Sequence, residues 1–150
     1  MKITDTIAAV LKNKAVDAVL TVAPGQTVYE ALQTMAKHDV GALIVLEDGK
    51  LAGIFSERDY ARKGVLAGHL SKETLVSEIM TAPVFFVSPE NTVDDCMALM
   101  TARRFRHLPV VDAGRVVGLV SIGDLVKWVI SGQAHAIETL QGYITGAYPA

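Results

Sequence analysis

The sequence is poor in cysteine, in long apolar runs and in excess charge of either sign. Its 150 residues include one cysteine, Cys96, so no disulfide can form within the chain and nothing points to an oxidising compartment. No stretch reaches the ~20 apolar residues that a membrane span requires, and the first residues carry no signal-peptide run. The net charge of -2 gives no general attraction to nucleic acid. These absences predict a cytoplasmic protein that acts without a membrane.

Common catalytic and metal-binding patterns are missing as well. The chain has neither a P-loop nor a Gly-x-Ser-x-Gly nucleophile turn, so we do not expect an enzyme. The four histidines, His38, His69, His107 and His135, lack the spacing of a zinc site, so no metal is expected. Cys96 belongs to an apolar helix face, where a small buried residue is expected rather than a nucleophile. Hydrophobic residues make up 51% of the chain, which is enough to build a core.

An internal repeat with an offset of 65 residues organises the chain. Between Val22 and Tyr60 this offset gives eleven identical pairs in 39 positions without a gap, against about two or three expected by chance. Each copy predicts a β-α-β-β-α unit, with Thr27 and Thr92 as helix N-caps and a glycine closing each hairpin turn. The predicted elements are Val19–Val22, a helix from Val28, Ala42–Leu46, Leu51–Phe55 and Glu57–Val65, then Val84–Val87, a helix from Val93, Leu108–Val111, Val116–Val120 and Ile122–Ser131.

The repeat also predicts the boundaries of the chain's parts. We expect an N-terminal helix within residues 1–14, one repeat at 15–70, a second at 71–131 and a helical tail at 132–150. A short helix at Ser71–Met80 should lead into the second repeat, as Thr4–Lys12 does for the first. Each repeat alone has little core, so the two should pack together.

One polar motif, Gly-x-x-Ser-x-x-Asp, occurs in both copies where the last strand becomes the last helix. It runs from Gly53 to Asp59 and from Gly118 to Asp124. One interpretation is structural, since Ser and Asp at this spacing form a capping box. The other is functional: a helix N-terminus and a hydroxyl suit a phosphate, a carboxylate suits a ribose, and the glycines leave room for a flat ring. Arg58 adds a cation to the first motif, where the second has Gly123.

Several further phrases accompany these motifs: Leu20-Thr21-Val22-Ala23-Pro24, Glu78-Ile79-Met80-Thr81, His107-Leu108-Pro109-Val110-Val111-Asp112 and Gly114-Arg115-Val116-Val117-Gly118. With them, about residues 15–131 resemble the cystathionine-β-synthase (CBS) domain family. The resemblance implies an α/β fold in which two β-α-β-β-α units pack through their sheets with pseudo-twofold symmetry, a Bateman module. It also implies a regulatory protein of signal transduction that binds AMP or another adenine nucleotide, such as ATP or NAD, or S-adenosylmethionine.

The resemblance further implies two ligand clefts, each combining the Ser/Asp motif of one repeat with strands of the other. Apolar members would enclose adenine, the aspartate would hold the ribose, and the serine would face phosphate with Arg58, Arg106 or His107. One cleft would contain Ser56, Arg58, Asp59, Val84, Phe85, Phe105, Arg106, His107 and Leu108. The other would contain Ser121, Gly123, Asp124, Val19, Leu20, Val40, Ala42 and Leu43.

Two other surfaces leave alternatives open. The basic cluster Arg103–His107 could contact the phosphates of a nucleotide, stabilise a helix end or bind RNA through Phe105. The last helix carries an apolar set that we expect to bury against a second copy in a homodimer: Leu125, Val126, Trp128, Val129 and Ile130. For Trp128 we expect a core or subunit contact rather than adenine stacking.

The chain as given carries no attached enzyme or channel, so we expect either that its output passes through an unknown downstream protein or that the module only binds a ligand. Two other functions remain open at this point. The chain could be a partner-docking CBS module whose clefts bind no ligand, or a module associated with RNA.

Overall fold

The computed structural model describes residues 3–14 and 19–131; the predicted helical tail at 132–150 lies outside them. Two α/β units follow one another, as the repeat predicts. The elements are α1 (Ile7–Lys12), β1 (Thr21–Val22), α2 (Val28–His38), β2 (Ala42–Glu47), β3 (Lys50–Ser56), α3 (Glu57–Asp59, continued by a π-helical turn at Tyr60–Val65), α4 (Val76–Ile79), α5 (Val93–Arg103), β4 (His107–Asp112), β5 (Arg115–Ser121) and α6 (122–131).

Threonine caps start the two long helices, as predicted. The Thr27 hydroxyl accepts a hydrogen bond from the Glu30 N–H at 3.2 Å, and the Thr92 hydroxyl accepts one from the Asp95 N–H at 3.1 Å. These bonds satisfy N–H groups that have no partner inside a helix. Among the described residues, no helix is long and apolar enough to cross a membrane.

The strands form two sheets that meet along β3 and β5. In the first sheet β1 runs parallel to β2 and β2 antiparallel to β3; in the second, β4 and β5 are antiparallel. Each hairpin turns through two residues with positive φ, Asp48-Gly49 and Ala113-Gly114. Positive φ at both positions matches the twist of a two-residue hairpin, which is why glycine occupies the second position in each copy.

The opening strand differs between the copies. In the first it is shorter than predicted, Thr21–Val22. The strand predicted at Val84–Val87 is wrong, since only Val87 bridges to its neighbour, Val110. The reason lies in Pro109: its counterpart 65 residues earlier, Ile44, donates its N–H to the Leu20 carbonyl at 3.2 Å, and proline has no N–H to donate.

The segment before the second repeat is also less helical than predicted. Of Ser71–Met80, only Val76–Ile79 is helical. This short helix nevertheless packs firmly, because the Val76 N–H donates to the Gln26 carbonyl at 2.9 Å and both Val76 and Ile79 are buried.

Each repeat has its own core, and each core is completed by a helix from elsewhere in the chain. Ile7 and Val10 of α1 are buried with Val93, Leu108 and Leu125 of the second repeat. Backbone bonds hold α1 there, including the Ile7 N–H to the Asn91 carbonyl at 2.8 Å. Helix α4 is buried in the other core, with β2, β3 and α2 of the first repeat. The core contacts therefore cross the predicted boundary at residues 70 and 71.

Candidate functional site

A cleft of about 630 Å³ opens between the two repeats. That volume lies within the ~300–1,000 Å³ typical of small-molecule sites. The cleft brings together six residues that the resemblance assigned to one site: Ser121 and Asp124 from the second repeat and Val19, Leu20, Val40 and Ala42 from the first. Two others of that set lie off its wall, because Leu43 is fully buried in the core of the first repeat and Gly123 lies in the first turn of α6.

The polar end of the cleft is the junction of β5 and α6. The Ser121 N–H donates to Asp124 Oδ2 at 2.8 Å, and the Asp124 N–H donates to the Ser121 hydroxyl oxygen at 3.0 Å. This reciprocal capping is the structural interpretation of the motif. Since Ser121 and Asp124 also line the cleft, the functional interpretation uses the same geometry.

Lys14 is a cleft residue that sequence reasoning missed. Its ammonium lies 2.9 Å from Asp124 Oδ2 and donates to the Leu119 carbonyl at 2.7 Å. The side chain reaches this place because α1 packs on the second repeat. No local sequence pattern predicts that packing. Lys127 of α6 and Asp39 at the end of α2 also line the cleft, as do five residues near them: Val10, Leu11, Asn13, Gly41 and Trp128.

His107 lies in this cleft rather than in the one that the resemblance implied. It opens β4 opposite Ser121 and faces Gly41 of the first repeat, so it lies where the two repeats meet. Burial lowers the pKa of its imidazole; the nearby Asp124 raises that pKa, and Lys14 and Arg106 lower it further. The ring is therefore favoured in its neutral form unless an anion enters the cleft.

In the first motif, other groups of the protein already bind the Asp59 carboxylate. Asp59 is 8% exposed. Its Oδ2 accepts hydrogen bonds from the Ser56 N–H and hydroxyl, both at 3.0 Å. Its Oδ1 accepts one from the Thr81 hydroxyl at 2.9 Å and lies 3.1 Å from the Lys63 ammonium. A ribose could bind this carboxylate only by displacing those partners.

The expectation that each motif glycine leaves room for a flat ring is wrong at Gly53, whereas Gly118 lines the cleft beside Leu11. A Cβ at Gly53 would lie 2.7 Å from the Met80 sulfur and 2.9 Å from the Thr81 carbonyl oxygen. A Cβ at Gly118 would lie 2.8 Å from a methyl carbon of Leu11. At both glycines the position of a Cβ is thus occupied by a residue from another part of the chain, so each glycine allows close packing.

The remaining residues of the first predicted cleft are only partly assembled. Arg58 donates to the Arg104 carbonyl at 3.2 Å. The rings of Phe85 and Phe105 are 5.6 Å apart, and the Arg103 guanidinium lies 4.8 Å from the Phe85 centroid. Part of the basic cluster is therefore engaged within the protein. Val84 is half-buried, Arg106 is exposed, and Leu108 is fully buried in the core of the second repeat.

Helix α6 divides its apolar residues between core and surface. Leu125 is fully buried, and Trp128 packs partly against the same core while its indole N–H donates to Asp5 Oδ2 at 3.0 Å. Val126 is 45% exposed and Ile130 is 65% exposed. The expected core contact of Trp128 is confirmed, although the residue also lines the cleft.

Comparison with known proteins gives one consistent relationship. A family model described as the CBS domain matches residues 14–65 and 76–131. The chain is 42% identical over 151 residues to the CBS domain-containing protein CBSX3, mitochondrial, of Arabidopsis thaliana, covering 95% of this chain and 73% of that protein. The structure of a signal-transduction protein with CBS domains from Burkholderia ambifaria MC40-6 matches this chain with a TM-score of 0.82 and 52% sequence identity. The match covers 85% of this chain and 96% of that chain.

A more distant structure, CBSX2 in complex with AMP, shares the fold at TM-score 0.69 and 24% identity, over 86% of this chain and 98% of that chain. The expected α/β fold of two packed CBS repeats is confirmed, although the second repeat lacks the opening strand of a complete β-α-β-β-α unit. On the family model and the close relatives together, the chain belongs to the CBS domain family and contains two CBS repeats.

Proposed function

We propose that this CBS protein is a regulatory module that binds an adenine nucleotide in the cleft at Ser121 and Asp124. The observation that carries the proposal is the cleft itself. It has the volume of a small-molecule site, an apolar wall from one repeat and a polar end from the other.

The lining divides into parts that match the parts of a nucleotide. Val19, Leu20 and Val40 offer apolar surface to an adenine ring. The Asp124 carboxylate can accept hydrogen bonds from both ribose hydroxyls, as acidic residues do in dinucleotide folds. The phosphate would face the start of α6 and the cations Lys14 and Lys127, since a helix N-terminus and ammonium groups both favour an anion.

The motif at Ser56 and Asp59 has a structural role in this proposal. Four hydrogen-bonding or ionic contacts already engage the Asp59 carboxylate. Asp124 Oδ2 contacts only the Ser121 N–H and Lys14 among the described residues. A ligand at Asp124 displaces one side chain, whereas a ligand at Asp59 displaces several.

AMP is the first ligand to test. Three cationic or titratable side chains line the cleft, Lys14, His107 and Lys127, against the two acids Asp39 and Asp124, which suits a ligand with a single phosphate better than a triphosphate. CBSX2, which shares this fold, is in complex with AMP, and this supports AMP as the first ligand to test. ATP, NAD and S-adenosylmethionine remain candidates. The lining suits reversible binding, and we propose no catalytic role.

Thermal unfolding in the presence of AMP, ATP, NAD or S-adenosylmethionine tests the proposal. A ligand at 100 times its dissociation constant adds about 2.7 kcal/mol of stability. For a protein of this size, that corresponds to a rise of about 5–11 °C in the midpoint. Asp124→Ala should abolish the rise, and Asp124→Asn, which keeps the size of the side chain, should weaken it. Asp59→Ala should lower the midpoint of the unliganded protein and keep the rise.

Two outcomes would contradict the proposal. If no adenine ligand moves the midpoint, the motifs are helix caps and the chain is better explained as a partner-docking module. If Asp59→Ala removes the rise and Asp124→Ala keeps it, the ligand binds at the other motif.

We also propose a homodimer that buries the exposed apolar side chains at the ends of the last helices. Ile130 and its counterpart Val65 are 65% and 55% exposed, and Leu66 is 81% exposed. Sedimentation equilibrium of the wild type and of Ile130→Glu tests this, because a buried charge should dissociate the dimer. The cytoplasmic location and the unknown downstream protein both remain predictions.

A further inference from the structure

Lys14 holds the carboxylate that a ribose would need. Its ammonium lies 2.9 Å from Asp124 Oδ2, and the two side chains are 27% and 22% exposed. The same ammonium donates to the Leu119 carbonyl. The unliganded cleft therefore contains a partly buried ion pair in the place proposed for the sugar.

The two motifs receive their counter-ions from different parts of the chain. Asp59 pairs with Lys63, four residues further along the same helical segment. The residue that matches Lys63 at the offset of 65 is Trp128, whose indole donates to Asp5 instead. Asp124 thus takes its cation from the N-terminal segment. A cation outside the helix can leave the carboxylate without disturbing the cap between Ser121 and Asp124.

We propose that Lys14 determines the preference of this cleft for phosphorylated ligands over nucleosides. The inference rests on the proposed function, since it assumes that a ribose binds Asp124. A ribose that takes the carboxylate displaces the ammonium of Lys14, and a partly buried ammonium without an anionic partner is unfavourable, even though it keeps the Leu119 carbonyl. A nucleotide supplies a phosphate to pair with it, and a nucleoside does not. When AMP binds, the Lys14 ammonium leaves Asp124 and pairs with the phosphate. When adenosine binds, the ligand offers no anion with which the ammonium can pair.

Calorimetric titration with AMP and with adenosine tests this directly. The wild type should bind AMP more tightly than adenosine. In Lys14→Met the affinity for AMP should fall roughly tenfold or more, as expected for a lost hydrogen bond between charged groups. The affinity for adenosine should stay the same or rise, because the sugar no longer competes with an ammonium. The ratio of the two affinities should therefore collapse.

Two further variants separate this role from a general effect. Lys14→Arg keeps a cation and should keep most of the preference for AMP. Lys12→Met removes an exposed positive charge at the end of α1, two residues before Lys14. It should leave both affinities unchanged because Lys12 does not line the cleft.

The outcomes distinguish the proposals. An unchanged ratio in Lys14→Met, or an equal loss for both ligands, would overturn the role of Lys14 while leaving nucleotide binding in place. A ratio that collapses equally in Lys12→Met would also overturn it, because long-range charge would then explain the effect. If the wild type binds neither AMP nor adenosine, the role of Lys14 fails; the proposed function fails with it only if ATP, NAD and S-adenosylmethionine also leave the unfolding midpoint unchanged.

Discussion

Replacing Ile7 by alanine should destabilise the core of the second repeat, although Ile7 precedes the first repeat in the chain. Its side chain is fully buried among Val93, Leu108 and Leu125. Truncating a buried isoleucine to alanine costs about 2–5 kcal/mol, from lost burial plus the cavity that remains. Because domains of this kind have only about 5–15 kcal/mol of total stability, the loss should be large.

Urea and thermal unfolding followed by Trp128 fluorescence provide the assay. The indole N–H of Trp128 donates to Asp5, two residues before Ile7, so the emission reports the docking of this segment. A loss of about 3 kcal/mol corresponds to a fall of about 6–12 °C in the midpoint. Ile130→Ala makes the same substitution at a side chain that is 65% exposed. At a fixed low protein concentration, it should change the free energy of unfolding by no more than about 0.5 kcal/mol.

A result for Ile7→Ala within the range of its control would refute the reasoning. It would mean that α1 does not complete the core of the second repeat. Lys14, which follows α1, would then have no fixed position beside Asp124, and it could not set the preference for phosphorylated ligands.

Three further predictions concern packing, pH and reactivity. Gly53→Ala should cost about 1–3 kcal/mol in urea unfolding, because the new Cβ would lie 2.7 Å from the Met80 sulfur; Gly25→Ala, with nothing within 4 Å, should be nearly neutral. Burial lowers the pKa of His107 below its usual 6.5, so the unfolded chain takes up the proton first as the pH falls. The free energy of unfolding should therefore fall as the pH drops below about 6.5, and His107→Gln should make this dependence on pH less steep. Burial, together with nearby Asp95, raises the pKa of Cys96 to about 11, so a thiol reagent at pH 8 should label it only after denaturation.

Each of these predictions has a clear contrary result. Equal effects of the alanine substitutions at Gly53 and Gly25 would mean that Met80 moves aside without cost. A pH slope that His107→Gln leaves unchanged would assign the titration to another group. Rapid labelling of Cys96 in the native protein would mean that the core of the second repeat opens readily.

The repeat made much of the fold predictable. Caps at Thr27 and Thr92 were predictable because a capping bond joins residues only three apart. Hairpin turns were predictable because a two-residue turn demands positive φ where the sequence has glycine. The strand expected at Val84–Val87 is not formed. Pro109 could have indicated this, since proline has no N–H to donate to the adjacent segment of the sheet.

The candidate site was predictable only in part. Ser121 and Asp124 could be found because the motif is local and occurs twice. The assignment of His107 to a cleft depended on which repeat its strand faces, and the structure places it beside Gly41 and Ser121. The space expected at Gly53 depended on Met80, which lies 27 residues away and packs against it.

By itself, the sequence determined the two α/β repeats, their caps and hairpin turns, and the pair of Ser/Asp motifs. All of these depend on interactions within a few residues or on a repeat that two stretches of one chain make visible. Only the tertiary structure decided which motif faces an open cleft and which counter-ion each aspartate receives. The bond between Lys14 and Leu119 joins residues 105 apart. Such a contact depends on α1 burying its apolar side chains in the distant repeat, away from water.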